Sequence, residues 1–119
     1  MPYWVPYASA IFALCLGDIG FHFPNTDESI KGIDSKILLK KTYELIQSKG
    51  YAVVNIDSTI CLEQPKIMKY VPEMQKAIAA ILMIGIEDIS IKATTTEKMG
   101  FAGREEGVFA QASLLLLKQ

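Results

Sequence analysis

Histidine is nearly missing from this chain of 119 residues: His22 is the only one. A catalytic triad needs an imidazole beside an activated nucleophile. No serine or cysteine here stands in a recognisable nucleophile setting, so His22 reads as a structural or loop residue. Cysteine is almost as sparse. Cys15 and Cys61 form no CxxC pair and stand among apolar neighbours. They read as buried, reduced thiols, which points to a reducing compartment such as the cytosol. Positive charge is not concentrated anywhere. Twelve Lys and Arg face thirteen Asp and Glu, for a net charge of −1. With no basic stripe, nucleic acid is not an expected partner. No apolar run reaches the ~20 residues of a membrane-spanning helix. The opening "MPYWVPYASAIFALCL" is apolar but short, and it lacks the basic region of a signal peptide. No membrane partner is expected. Internal repeats and low-complexity tracts are absent as well.

Half of the residues are apolar. The length suits one domain, 1–119, which buries roughly two thirds of its unfolded surface. So high an apolar share points to surface hidden between subunits.

Periodicity places the elements. Ala8 to Leu16 reads as helix, stopped by Gly17. Gly17 to Asp34 reads as a long loop, a length that is usually functional or disordered. Asp34 or Ser35 caps a helix through Lys49, with Gly50 as its stop. Leu38, Leu39, Tyr43, Leu45 and Ile46 share its apolar face. Tyr51 to Leu62 alternates as a strand, with Val54, Ile56 and Ile60 on one face and Asn55, Asp57 and Thr59 on the other. Such a polar row is solvated or lines a wet interface. Pro72 to Ile84 is a helix with proline in its first turn and Gly85 at its end. Ile89 to Thr94 is a strand. Gly107 to Lys118 is the last strand, and "LLLL" makes both of its faces apolar, which predicts an inner strand between layers. The expected fold is α+β, a small sheet with helices packed on one side.

Four loops carry polar groups at bends. In "GDIGFHFPNTDESIKG", Gly17 and Gly20 let backbone approach a ligand. Asp18, Asn25 and Asp27, with Thr26, can hold a cation or sugar hydroxyl, or make ordinary turns. In "EQPKIMKY", Pro65 fixes a bend and Lys66 is a point charge for phosphate or a solvated lysine. In "ATTTEK", the hydroxyls and N–H groups of Thr94, Thr95 and Thr96 suit phosphate or ribose, and threonine also suits a strand. In "GFAGREEG", Arg104 grips an anion bidentately or pairs with Glu105 or Glu106.

Taken in order, "LGDIGFHFPNTD", "KGIDS", "NIDSTI", "QPKI" and "IKATTTEKMGFAGREEG" resemble the 2-C-methyl-D-erythritol 2,4-cyclodiphosphate synthase family, from about Ala8 to the C-terminus. The resemblance implies a homotrimer with its sheets around a threefold axis and its active sites between neighbouring subunits. It implies release of CMP from 4-diphosphocytidyl-2-C-methyl-D-erythritol 2-phosphate in non-mevalonate isoprenoid biosynthesis. The 2-phosphate attacks the β-phosphate and no protein nucleophile is used, so catalysis is positioning and charge neutralisation. Residue by residue, Asp18, Ile19 and Gly20 match contacts to the methylerythritol phosphate. Phe23, Pro24, Asn25, Thr26 and Asp27 match a Phe-Pro-Asp-Thr-Asp segment, with Asn25 in place of its first acid. Gln64, Pro65, Lys66, Ile67, Met68, Lys69 and Tyr70 match the loop that cups cytosine. Gln64 replaces a small alanine there, which predicts a tighter pocket. Thr94, Thr95, Thr96 and Glu97 match the stretch that binds the CDP portion, with Thr95 and Glu97 as catalytic residues and Glu97 as ligand of a second divalent ion. Phe101 and Arg104 match further ligand contacts. Arg104 and Glu106 match positions facing an axial cavity for isoprenoid diphosphates.

The family's cofactors are zinc plus magnesium or manganese. Its zinc ligands are an Asp-x-His and a second His, and the stretch ahead of Leu16 has neither His nor acid. The domain is therefore read as N-terminally incomplete. The alternatives are a catalytically impaired trimeric paralogue or fragment that binds cytidine nucleotide or isoprenoid diphosphate, and an unrelated α+β interaction domain. The expected location is the cytoplasm, or a plastid-type organelle after loss of a transit peptide.

Overall fold

The computed structural model describes residues 19–24, 26–30 and 32–119. The helix expected at Ala8 to Leu16 lies outside them, as do Cys15, Gly17, Asp18 and Asn25. The fold is α+β, as expected. Its elements are α1 (Ile19–His22), α2 (Ser35–Ser48), β1 (Tyr51–Cys61), α3 (Val71–Leu82), β2 (Ile89–Thr94), α4 (Gly100–Gly103) and β3 (Phe109–Lys118). None of the described helices is long and apolar enough to cross a membrane.

The stretch expected as an irregular loop through Asp34 instead holds α1 and a 3-10 turn at Glu28–Ile30. Asp27 starts that turn, since its Oδ1 accepts from Ser29 N at 2.9 Å and Ser29 Oγ at 2.7 Å. Asp34 caps α2 by accepting from Lys36 N at 2.9 Å, and Gly50 takes φ +80° just beyond its end. Leu39, Thr42 and Ile46 form the buried stripe of α2. Thr42 escapes an apolar pattern because its hydroxyl donates to Leu38 O at 3.1 Å, which satisfies it inside the core. The stripe of α3 is Val71, Met74, Ile78 and Leu82, at helical spacing. Its end is not made by Gly85, as the sequence led us to expect. Met83 takes the left-handed position at φ 58°, and its N–H donates to Ala79 O. An unbranched, exposed side chain tolerates that conformation better than a β-branched one would.

Three strands form one sheet in the order β2-β1-β3. β1 and β2 are parallel, from Ile56↔Ile89 to Cys61↔Thr94. α3 makes the crossover that a parallel pair requires. β1 and β3 are antiparallel, with a register shift between Val53 and Asn55. That extra residue moves the core position to Val53 and leaves Val54 half-buried, which corrects the alternation expected through Val54. α2 and α3 cover one face, where Leu39, Ile46, Val53, Ile56, Ile60, Ile78 and Ile89 form the core.

The other face is open. It carries Asn55 and Asp57 of β1, Ser90 and Lys92 of β2, and Gln111, Ser113, Leu115 and Leu117 of β3. β3 is an edge strand in this sheet, not the doubly buried one expected. Four consecutive leucines put two on each face. Leu114 and Leu116 pack toward the helices, while Leu115 and Leu117 are 55% and 58% exposed.

Candidate functional site

The loops after β1 and β2 meet at the carboxyl ends of two parallel strands. The ladder extends one residue beyond β1, through Leu62 N donating to Thr94 O at 3.0 Å. In open α/β sheets ligands bind outside the carboxyl ends of the strands, and the parallel pair here presents the same ends. Here Leu62, Pro65, Lys66, Ile67, Met68, Ala93, Thr94 and Thr95 line a cavity of about 160 Å³. Ile67 is both floor and core, which anchors the loop. Pro65 follows a cis peptide bond. Lys66 and Met68 are exposed at the rim. The walls are thus largely apolar, with one ammonium and two threonines as the polar groups.

The structure brings together the Pro65–Met68 segment and Thr94–Thr95, as the sequence suggested. Other members of the expected set stand apart. Gln64 is exposed and outside the lining, so its side chain does not narrow the cavity. Lys69 lies over the Tyr70 ring, 5.1 Å from its centroid. Phe23 packs against the core, Pro24 is half-buried, and Thr26 and Asp27 are exposed. Ile19 and Gly20 lie in α1. His22 sits between Phe21 and Phe23, with ring centroids 5.2 and 6.5 Å away. The bond from Ser29 holds the Asp27 carboxyl below the ordinary value.

The turn after β2 is built unusually. Met99 N donates to Thr96 O at 3.1 Å, and both central residues are left-handed, Glu97 at φ 54° and Lys98 at φ 65°. Such backbone costs an L-residue on the order of 1–2 kcal/mol. Three groups offset it. Glu63 Oε1 accepts from Thr96 N at 3.2 Å and Lys98 N at 3.1 Å. Thr96 Oγ1 donates to Met99 O at 2.6 Å. Glu97 N donates to Thr95 Oγ1 at 3.3 Å. The N–H groups of residues 96–98 are therefore engaged within the chain, which corrects the expectation that the Thr96 amide is available for phosphate. The Glu97 carboxylate is exposed, with Oε1 3.5 Å from the Thr95 hydroxyl.

Arg104 is held by Glu106, through Nε at 2.9 Å from Oε1 and Nη2 at 3.2 Å from Oε2. Of the two acids that sequence left open, Glu106 is the partner. Phe101 is half-exposed, with its ring against Gly107. Among the described residues, no three His, Cys, Asp or Glu side chains gather as a metal site. They do not fit a zinc centre, which needs several such ligands.

Sequence reasoning missed Leu62, Ala93 and Glu63. A β-α-β reading would have found the first two, because it places the ends of both strands side by side. No sequence signal distinguished Glu63 from a surface acid.

The YgbB family model matches residues 8–117. A protein of Bacteroides thetaiotaomicron named 2-C-methyl-D-erythritol 2,4-cyclodiphosphate synthase is 62% identical over 101 residues, covering 85% of this chain and 64% of the relative. One of the same name from Porphyromonas gingivalis is 54% identical over 105 residues, covering 88% and 65%. The chain therefore spans slightly less than two thirds of these relatives. Among solved structures, the Plasmodium falciparum IspF CDP complex matches with TM-score 0.84 at 31% identity, over 98% of this chain and 70% of that one. The bifunctional IspDF of Campylobacter jejuni matches with TM-score 0.93 at 36% identity, over 98% and 32%.

Proposed function

Because the chain belongs to the YgbB family, we propose that it binds the cytidine nucleotide of 4-diphosphocytidyl-2-C-methyl-D-erythritol 2-phosphate and serves the cyclisation that releases CMP. The observation that carries this is the cavity between Pro65–Met68 and Thr94–Thr95, together with the likeness to the IspF CDP complex. An apolar floor suits a base, and the exposed Lys66 ammonium suits a phosphate oxygen. The Thr95 hydroxyl and the Glu97 carboxylate stand at the edge of the same loop. The remaining site residues of the expected set, from Asp18 to Asp27 and through Phe101 and Arg104, belong to this proposal as contacts completed by the bound substrate.

Glu97 is the residue of this loop that would hold a divalent ion. Such an ion neutralises charge on the phosphates. What the chain itself contributes is a fixed cradle, and holding reactants in attack geometry is a large part of phosphoryl-transfer catalysis. The proposal also includes a homotrimer. Two further copies would cover the open face, where Leu115 and Leu117 stand exposed beside the polar row. A reducing, cytoplasm-like compartment accords with Cys61, which is buried and unpaired.

Calorimetric titration with CDP tests the cradle. CMP release, assayed with the chain alone and mixed with a full-length relative disabled in its Thr-Thr-Glu stretch, tests the reaction. Release in the mixture is expected. Binding without release would assign the chain to nucleotide binding, and no binding would overturn the reading.

A further inference from the structure

Glu63 lies outside the cavity lining, yet its carboxylate joins the two loops that form it. It stands between β1 and the cis Gln64–Pro65 bond. One oxygen, Oε1, accepts from Thr96 N and Lys98 N. Backbone N–H groups converging in a turn make a concavity that attracts anions. In this chain the anion is a side chain from the neighbouring loop. Without it, two N–H groups lose their partner while Glu97 and Lys98 keep their unfavourable backbone.

We infer that Glu63 is a positioning residue: its carboxylate fills the nest of the Thr96–Met99 turn and sets where Thr95 and Glu97 stand relative to Lys66. The inference rests on the nucleotide reading above for its ligand, and on hydrogen bonding alone for the turn. Leu62 fixes the strand ends through Thr94, and Glu63 continues the link one residue further, to the reactive part of the loop. Substitution separates the acceptor from the charge. A glutamine oxygen can take the same bonds, whereas alanine cannot.

The full chain is compared with Glu63→Ala and Glu63→Gln by amide exchange and by CDP titration. In Glu63→Ala, the Thr96 and Lys98 amides should exchange about tenfold faster and the Kd for CDP should rise about tenfold, as expected for a lost charged hydrogen bond. Glu63→Gln should return both to within about threefold of wild type. Added acetate should refill the emptied nest and restore CDP affinity to Glu63→Ala, without effect on wild type. Unchanged exchange or unchanged affinity in Glu63→Ala overturns the inference. Should that variant not fold, Glu63→Asp replaces it; its shorter arm should lose protection at both amides, and wild-type behaviour would be the overturning result. Failure of the wild-type chain to bind CDP counts against the nucleotide reading, and amide exchange then decides the role of Glu63 by itself.

Discussion

Gly103 lies against the backbone of Lys98 so closely that a Cβ on it would stand 2.2 Å from the Lys98 carbonyl carbon and 2.7 Å from its oxygen. The contact holds α4 against the left-handed turn. Backbone cannot swing away as a flexible side chain can. Gly103→Ala should therefore destabilise the protein by about 1–3 kcal/mol, a typical cost of overpacking. Denaturant unfolding measures it, and a midpoint equal to wild type would show that the contact is soft.

The cradle predicts a matched pair of losses. Lys66→Ala and Thr95→Ala should each weaken CMP or CDP binding by about 1–2 kcal/mol. Both positions line the cavity and neither belongs to the buried core, so Lys66→Ala should change stability little, whereas Thr95→Ala also removes the acceptor of Glu97 N in the turn. Titration calorimetry that finds equal affinity in all three proteins would mean that nucleotide binds elsewhere or not at all.

Acid stability should report the open face. Lys92 Nζ donates to the Asp57 carboxylate across the parallel strands, and this holds the Asp57 carboxyl below its ordinary value. A carboxylate with a lowered folded pKa contributes stability above its unfolded pKa. The contribution is lost as pH falls through the folded one. Melting temperature followed from about pH 6 to about pH 2 should fall less steeply in Asp57→Asn than in wild type. Exposure of both partners keeps the effect small. Parallel curves would show that the pair is energetically silent.

In the proposed homotrimer other copies cover Leu115 and Leu117, so charge placed there should separate them. If the proposed trimer forms, Leu115→Glu and Leu117→Glu should each shift its sedimentation toward monomer. A monomeric wild type at micromolar concentration would remove the trimer from the proposal.

Metal content gives a further check. Purified protein should carry no stoichiometric zinc held by its own side chains, because three convergent ligands are not found among the described residues. Elemental analysis returning one zinc per chain would overturn this.

Much of the architecture was legible along the chain, because local rules decide it. Asp34 and Gly50 mark the ends of α2 by capping chemistry that depends on a few neighbouring residues. β2 spans Ile89–Thr94 as expected, and α3 carries the expected proline in its first turn. The motifs from "LGDIGFHFPNTD" to "GFAGREEG" named the family before any contact was known. Tertiary structure decided the rest, because those features depend on partners far away in sequence. The bulge at Val54 follows from pairing with β3. Whether "LLLL" is buried once or twice depends on what covers the second face, which pattern cannot say. The choice of Glu106 over Glu105 for Arg104 depends on Glu105 taking φ 60°, with its N–H bound to Ala102 O. Most of all, only the fold could turn Glu63 from one acid among thirteen into the acceptor for Thr96 and Lys98. A hydrogen bond to backbone leaves no mark on the sequence of the residue that donates it.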